Sequence, residues 1–178
     1  MSEPSGRQHP LIAAVRGEQF KPTVILLSGS LLLIAWKYLC SPEFYAEHLA
    51  GVLDIGLAPA AAGAVYSFVG CFVLMGLVPL LVVKFVFREY LADYGVQLGD
   101  RVRTLRSFLI LAPVFLLAAY IGSGDPALRG EYPINKLACT SGGMFAFHAT
   151  TYFLYYLGWE FYFRGFMQMG LRDAVGEA

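Results

Sequence analysis

Four long apolar segments constrain the fold of this chain more than any other feature of its sequence. They extend over about residues 24–39, 57–87, 108–121 and 144–164. Inside a lipid bilayer every backbone polar group must be bonded within the protein, so only helices and closed barrels can cross it. No segment shows the alternating pattern of a strand. The sequence therefore predicts an all-α fold, a polytopic membrane helix bundle with about four transmembrane helices.

The amino-acid composition agrees with a membrane protein. Of the 178 residues, 57% are hydrophobic and only 15% are charged, whereas about 25% are charged in typical soluble domains. One core of this size cannot bury so many apolar side chains. The 13 basic and 13 acidic residues balance. The chain therefore lacks the basic surface of a nucleic-acid-binding protein, and we expect no nucleic-acid partner.

Lysine and arginine residues are unevenly distributed between the connecting segments. The N-terminal tail (residues 1–22) and the loop over residues 88–107 are rich in them, whereas the loops after the first and third spans hold few. Basic loops tend to stay in the cytoplasm. We therefore expect a multi-pass protein of the cell membrane whose N-terminus, 88–107 loop and C-terminus are cytoplasmic.

A charged pair interrupts the fourth apolar segment. It lies in the sequence GWEFYFRGF (residues 158–166), and residues 145–157 before it hold no Asp, Glu, Lys or Arg. A carboxylate at membrane depth costs roughly 2.5–3.5 kcal/mol on insertion scales, so it marks a functional site by default. The i, i+4 spacing places Glu160 and Arg164 on one helix face, where they can pair.

Two roles for this pair are open at the level of the sequence. Glu160 can act as a general base that activates water against a carbonyl group, with Arg164 orienting the carboxylate. Alternatively, the two side chains form a buried ion pair that fixes the register of the helix, since structural pairs perturb pKa values as well. Arg164 can equally anchor the cytoplasmic end of the helix.

Other residues that could carry chemistry are sparse. His148 lies 12 residues before Glu160, about 18 Å along a helix, so the two cannot share a metal or a ligand directly. We predict that His148 is a core histidine. Cys40, Cys71 and Cys139 fit no zinc or redox spacing, and we interpret them as packing residues. The chain contains no nucleophile elbow of the Gly-x-Ser-x-Gly type.

The GWEFYFRGF segment resembles the first motif of the CPBP intramembrane proteases, which include the type II CAAX prenyl endopeptidases and bacteriocin-processing proteins. That motif is usually Glu-Glu-x-x-x-Arg followed by Gly. The segments YGVQLGD (residues 94–100) and EYP (residues 131–133) also look like parts of bacterial members. The resemblance covers most of the chain loosely, and only residues 158–166 are specific.

The resemblance implies an all-helical, membrane-embedded endopeptidase that cleaves peptide bonds near the cytoplasmic membrane face through glutamate-activated water. In such an enzyme Glu160 and Arg164 would be the catalytic residues. The partners would be membrane lipid and a peptide or protein substrate, in a bacterial inner membrane. No cofactor is certain, although a divalent metal such as zinc is compatible with the complete family site.

The chain departs from the family pattern in two places. When the motif is aligned on Arg164, its first glutamate falls on Trp159. The later motifs, Phe-x-x-x-His and His-x-x-x-Asn or Asp, do not follow Arg164. We therefore expect residues 23–178 to form an incomplete CPBP-type domain that is inactive alone. A missing C-terminal half or another copy of the chain would complete it.

Two other functions stay open. A non-catalytic membrane scaffold, such as an immunity or assembly factor of the same family, accords with Trp159 and with the missing histidine motifs. A small transporter or channel subunit is less well supported, because no pair of half-repeats with broken helices is visible.

Overall fold

The structure, a computed structural model, describes Gly17, residues 19–97 and residues 99–176, except for the side chain of Glu131. The tail expected at residues 1–22 therefore lies largely outside the described residues. Every regular element within those ranges is a helix, which confirms the all-α fold. We number the main helices in chain order: α1 (Phe20–Leu39), α2 (Pro42–Phe44), α3 (Pro59–Phe87), α4 (Arg101–Gly122), α5 (Pro126–Glu131), α6 (Gly142–Glu160) and α7 (Gly170–Val175).

Short π-helical stretches interrupt or join several of these helices. In α3 they occupy Phe72–Leu77 and Val82–Phe87, on either side of Pro79. The proline ring has no N–H to donate, so it disturbs the regular hydrogen-bond ladder where the sequence predicts a kink. A further π-helical stretch, Phe161–Met169, joins α6 to α7. One continuous helical rod therefore carries both Glu160 and Arg164.

Among the described residues, three helices are long and apolar enough to cross a membrane, so the chain has the length and composition of a membrane protein. They are α1, α3 and α4, with mean hydropathies of 1.5, 2.5 and 1.9 in their most apolar windows. The fourth predicted span forms helix α6, but α6 is not apolar enough to count as a candidate membrane span. Its Tyr, Trp, Thr and His side chains lower its hydropathy. The number of four transmembrane helices is thus approximate.

Helix α4 begins before its apolar span. The apolar span over residues 108–121 is short and was expected to include flanking residues, and the helix begins at Arg101. Asp100 explains this start, because its carboxylate accepts hydrogen bonds from the backbone N–H groups of Val102 at 3.0 Å and Arg103 at 3.1 Å. Such a cap satisfies the free donors of the first turn. The capped first turn is basic, so hydropathy alone did not reveal it.

The core of the bundle lies between α1, α3 and the rod formed by α6 and α7. Its fully buried side chains come from all three and from the loop after α3, namely Ile25, Cys71, Met75, Val83, Tyr94, Tyr162 and Phe166. The small residues at positions 61–64 in the first half of α3, with the sequence Ala-Ala-Gly-Ala, are buried as well, and small side chains allow close helix packing. No residue of α4 is buried, so its apolar side chains are available to lipid on every face.

Helices α3 and α6 approach each other most closely at Gly158. A Cβ atom at this position would lie 2.8 Å from Cα of Phe72 and 2.9 Å from the carbonyl oxygen of Cys71. A Cβ on Gly76, in the facing helix, would lie 3.2 Å from Cα of Gly158. The two backbones therefore touch directly, as small residues allow in membrane helices.

Substitution of Gly158 by alanine should destabilise the bundle. The added methyl group meets backbone atoms, which cannot rotate away, and overpacking of this kind costs about 1–3 kcal/mol. Gly143→Ala in the same helix is the matched control, because its nearest heavy atom would be 3.9 Å away. Thermal unfolding in detergent, followed by circular dichroism, measures both variants. An unchanged midpoint for Gly158→Ala would contradict the direct backbone contact.

Candidate functional site

Glu160 and Arg164 form an ion pair on the outer side of the α6–α7 rod. Oε2 of Glu160 lies 2.8 Å from Nε of Arg164, and the two side chains are 47% and 74% exposed. The pairing expected from their spacing is therefore present. The expectation of a pair buried inside the bundle is wrong, because the inward face of this rod is occupied by Tyr162 and Phe166. Their catalytic role stays a prediction.

The pair lies beside the second half of α3, a helix long and apolar enough to cross a membrane. Gly158, two residues earlier, contacts Phe72 near the middle of that helix. Phe166, six residues later, stacks on Phe87 at the end of α3, with ring centroids 6.4 Å apart. Glu160 lies between these two levels. When α3 spans a bilayer, a carboxylate at this level carries the energetic penalty of the hydrocarbon region.

Trp159 packs toward α1, whereas Glu160 is exposed. Its ring lies 5.6 Å from that of Trp36 in α1 and 5.7 Å from that of Tyr155, centroid to centroid. The position at which the CPBP motif has its first glutamate is therefore used here for aromatic packing between α1 and α6. Aromatic pairs of this kind contribute about 0.5–1.5 kcal/mol beyond their buried area.

An apolar groove of about 580 Å³ runs beside the charged pair. One wall is the helix face with Leu157, Glu160, Phe161 and Arg164, and the other is the loop over residues 94–97. We call this space the Glu160 groove. The loop belongs to the YGVQLGD segment that supported the family resemblance, so the structure brings both segments together. Leu98, within the same segment, lies outside the described residues.

Glycines allow the loop to lie directly on the helix. Gly95 has a φ of 80°, a left-handed conformation that glycine adopts without steric penalty. A Cβ on Gly165 would lie 2.7 Å from the carbonyl oxygen of Tyr94, so the missing side chain leaves a notch for the loop backbone. Met169 packs against Gly95 on the next turn. The loop thus follows the helix surface as a wall of the Glu160 groove.

A polar cluster that the sequence did not predict fixes Tyr94 at the end of the bundle. Nζ of Lys21 donates to both carboxylate oxygens of Glu89, at 2.8 and 3.1 Å. The Tyr94 hydroxyl donates to the same carboxylate, and Nζ of Lys21 lies 5.3 Å from the Tyr94 ring centre. Only a weak indication of this cluster is present in the sequence. Lys21 lies at the start of the first span and Glu89 at the end of the second, and the distribution of basic residues places both ends on the same side of the membrane.

Opposing effects act on the pKa of Glu89. Burial of its carboxyl group raises the pKa. Hydrogen bonds from Lys21 and Tyr94 and the positive charges of Lys21 and Arg172 lower it, and together they outweigh burial, so the net shift of the pKa is downward. Burial and the hydrogen bond to Glu89 raise the pKa of Tyr94. At neutral pH the cluster therefore joins an ionised carboxylate to a neutral phenol.

The described histidines lie away from the Glu160 groove. His148 is buried and stacks on Tyr152, with ring centroids 5.5 Å apart, which confirms the predicted core histidine. His48 stacks on Phe44. Within residues 19–97 and 99–176, no group of three or more His, Cys, Asp or Glu side chains is arranged to hold a metal ion. The donor set around Glu160 does not fit the zinc ion that the resemblance allows.

Comparison with models of known protein families, with curated proteins and with solved structures gives no match for this chain. The function must therefore be argued from the residues themselves and from the likeness of residues 158–166 to the CPBP motif.

Acid should weaken the cluster around Glu89. Because its pKa in the folded protein lies below the ordinary value of 4.5, the ionised group contributes stability above pH 4.5. That contribution is lost as the pH falls through the folded pKa. We expect the difference in unfolding midpoint between the parent protein and Glu89→Gln to be largest at neutral pH and to shrink below pH 4.5. A difference that stays constant on acidification would contradict this assignment; Asp93→Asn serves as the control.

Proposed function

We propose that this chain is the part of a CPBP-type, CAAX-protease-like intramembrane endopeptidase that contains the general base. The position of Glu160 supports this most strongly. Its carboxylate lies 2.8 Å from a guanidinium, on the wall of an apolar groove and beside a helix that is apolar enough to cross a membrane. A charged group in such a place is energetically unfavourable, so its presence there points to a function.

The reaction would begin when Glu160 removes a proton from a water molecule in the groove. The resulting hydroxide adds to the carbonyl carbon of a peptide bond and forms a tetrahedral intermediate. The intermediate collapses as the carbon–nitrogen bond breaks, and the protonated Glu160 returns the proton to the leaving amine. The products are a carboxylic acid and an amine, which exchange a proton to give a carboxylate and an ammonium group, and Glu160 is regenerated in its ionised form.

Arg164 has two tasks in this scheme. Its Nε–H holds one oxygen of Glu160, which orients the carboxylate and leaves the second oxygen for water. The guanidinium keeps its charge at every relevant pH and has further N–H donors. Because the side chain is largely exposed, these donors are free to stabilise the oxyanion of the intermediate. Donors of this kind contribute most where water is excluded.

The orientation expected from the basic loops is part of this proposal. Lys21 at the start of α1, Glu89 after α3 and Arg172 in α7 meet in one cluster. The segments before α1, after α3 and at α7 therefore share one end of the bundle. We place this end in the cytoplasm of a bacterial cell, so that Glu160 lies in the cytoplasmic half of the inner membrane.

Cysteine labelling tests the orientation. Cys139 is exposed, whereas Cys40 and Cys71 are buried, so Cys139 should react with a membrane-impermeant maleimide added to intact spheroplasts. In a Cys139→Ser background, Gln97→Cys should react only after the membrane is permeabilised. The reverse pattern would place the N-terminus outside the cell.

Cleavage assays test the chemistry. In liposomes that contain the chain, any polypeptide needed to complete its site and a fluorescence-quenched transmembrane peptide, Glu160→Gln should lower the cleavage rate about 10²–10⁴-fold, the usual contribution of a general base. Arg164→Ala should also lower the rate. Glu47→Gln is the matched control, because Glu47 is exposed near α2, away from the Glu160 groove. Equal cleavage by the parent and by both groove variants would refute the proposal.

A non-catalytic membrane scaffold is the second candidate. Two observations favour it: Trp159 is used for packing against α1, and neither described histidine reaches the Glu160 groove. A catalytic site would then need groups from another copy of the chain or from another polypeptide. In this case the parent protein cleaves no peptide, and cells with Glu160→Gln keep the parental phenotype at equal protein levels.

A further inference from the structure

The loop that forms one wall of the Glu160 groove is held from outside the groove. Its first residue, Tyr94, is only 3% exposed and is contacted by three separate parts of the chain. Lys21 and Glu89 bind its side chain. In the rod, its carbonyl oxygen packs against Gly165 and its ring packs against Gly170. Residues 95–97 follow directly and line the groove.

We propose that Lys21 and Glu89 form a clasp that acts through Tyr94 to position the groove wall opposite Glu160. All three are positioning residues, because none of them touches the reacting atoms. The importance of the groove for chemistry rests on the proposed function, but the mechanical link does not. The clasp sets how far residues 95–97 stand from the helix face of Glu160 and Arg164.

The chemistry of the cluster explains why this link is selective. Glu89 is the shared acceptor: it receives hydrogen bonds from Nζ of Lys21 and from the hydroxyl of Tyr94. Without the carboxylate charge, both donors lose their strongest partner. The notch at Gly165 and the packing of Met169 remain, but these contacts are not directional. The loop is then held by packing alone and can move away from the helix.

Other charged groups near Glu89 do not replace it. Asp93 comes from the same turn as Tyr94, and Arg172 and Asp173 come from α7. Arg172 and Asp173 contact each other at 3.6 Å. Lys21 from α1 is the cation that bonds to Glu89 directly. Acidification should therefore release the clasp through protonation of Glu89. The variant Asp93→Asn tests whether a neighbouring carboxylate contributes.

Spin-label distances across the groove test the clasp. Labels at Val96→Cys and Phe153→Cys, in a Cys139→Ser background, report the separation between the loop and the exposed side of α6. In nanodiscs at neutral pH the parent should give one narrow distribution. Glu89→Gln and Tyr94→Phe should shift it to longer distances and broaden it. Asp93→Asn and Tyr90→Phe, which are matched in chemistry and lie in the same segment, should leave it unchanged.

The parent protein provides a test that needs no variant in the clasp. Lowering the pH through the pKa of Glu89 in the folded protein, which lies below 4.5, should convert its distance distribution to that of Glu89→Gln, and Glu89→Gln itself should not change further. Lys21→Arg, which keeps the charge, should retain the parental distribution. If Glu89→Gln does not fold, Tyr94→Phe and the acid titration still decide. Unchanged distances in a folded Tyr94→Phe protein and in the acidified parent would overturn the proposal.

The distances are independent of catalysis, so the two proposals can fail separately. Longer distances in the clasp variants, without peptide cleavage by any protein, would support the clasp and count against the endopeptidase. Cleavage that depends on Glu160, with distances unchanged in all clasp variants, would support the endopeptidase and count against the clasp.

Discussion

The direct contact between the backbones of α3 and α6 is the interaction on which the rest of the structure depends. With only hydrogen atoms on Gly76 and Gly158, the two helices meet at a defined level near Phe72. Because a helix is a rigid rod with a fixed rise, this level determines where every later residue of the rod lies. Glu160 falls beside the second half of α3, Gly165 beside the loop, and α7 beside the start of α1.

The same geometry determines which side chains of the rod remain outside. Trp159, Tyr162 and Phe166 turn toward α1 and α3, and their packing leaves the Glu160 and Arg164 face uncovered. The two charges stay together at 2.8 Å in surroundings where few polar groups can solvate them. Under the proposed function, this open position lets a molecule in the Glu160 groove reach both side chains.

The fold was predictable because the membrane leaves a chain few choices, whereas the site was predictable only in part. Apolar runs identified α1 and α3, and the spacing of Glu160 and Arg164 identified their contact. The beginning of α4 depended on a single capping residue, Asp100, which hydropathy does not detect. Glu89 and Lys21 are 68 positions apart. Their contact with Tyr94 follows from three helix ends meeting in space, which no local pattern contains.

Helix α4 buries none of its residues, yet its first turn adjoins the same loop residue, Gln97, that lines the Glu160 groove. The bundle is therefore open toward the lipid on this side. Under the proposed function, a membrane-embedded segment would reach Glu160 by lateral diffusion within the bilayer, without passing through water. For such an encounter the relevant concentration is the mole fraction of the segment in lipid. Dilution with additional lipid would slow the encounter, whereas dilution with buffer would leave it unaffected.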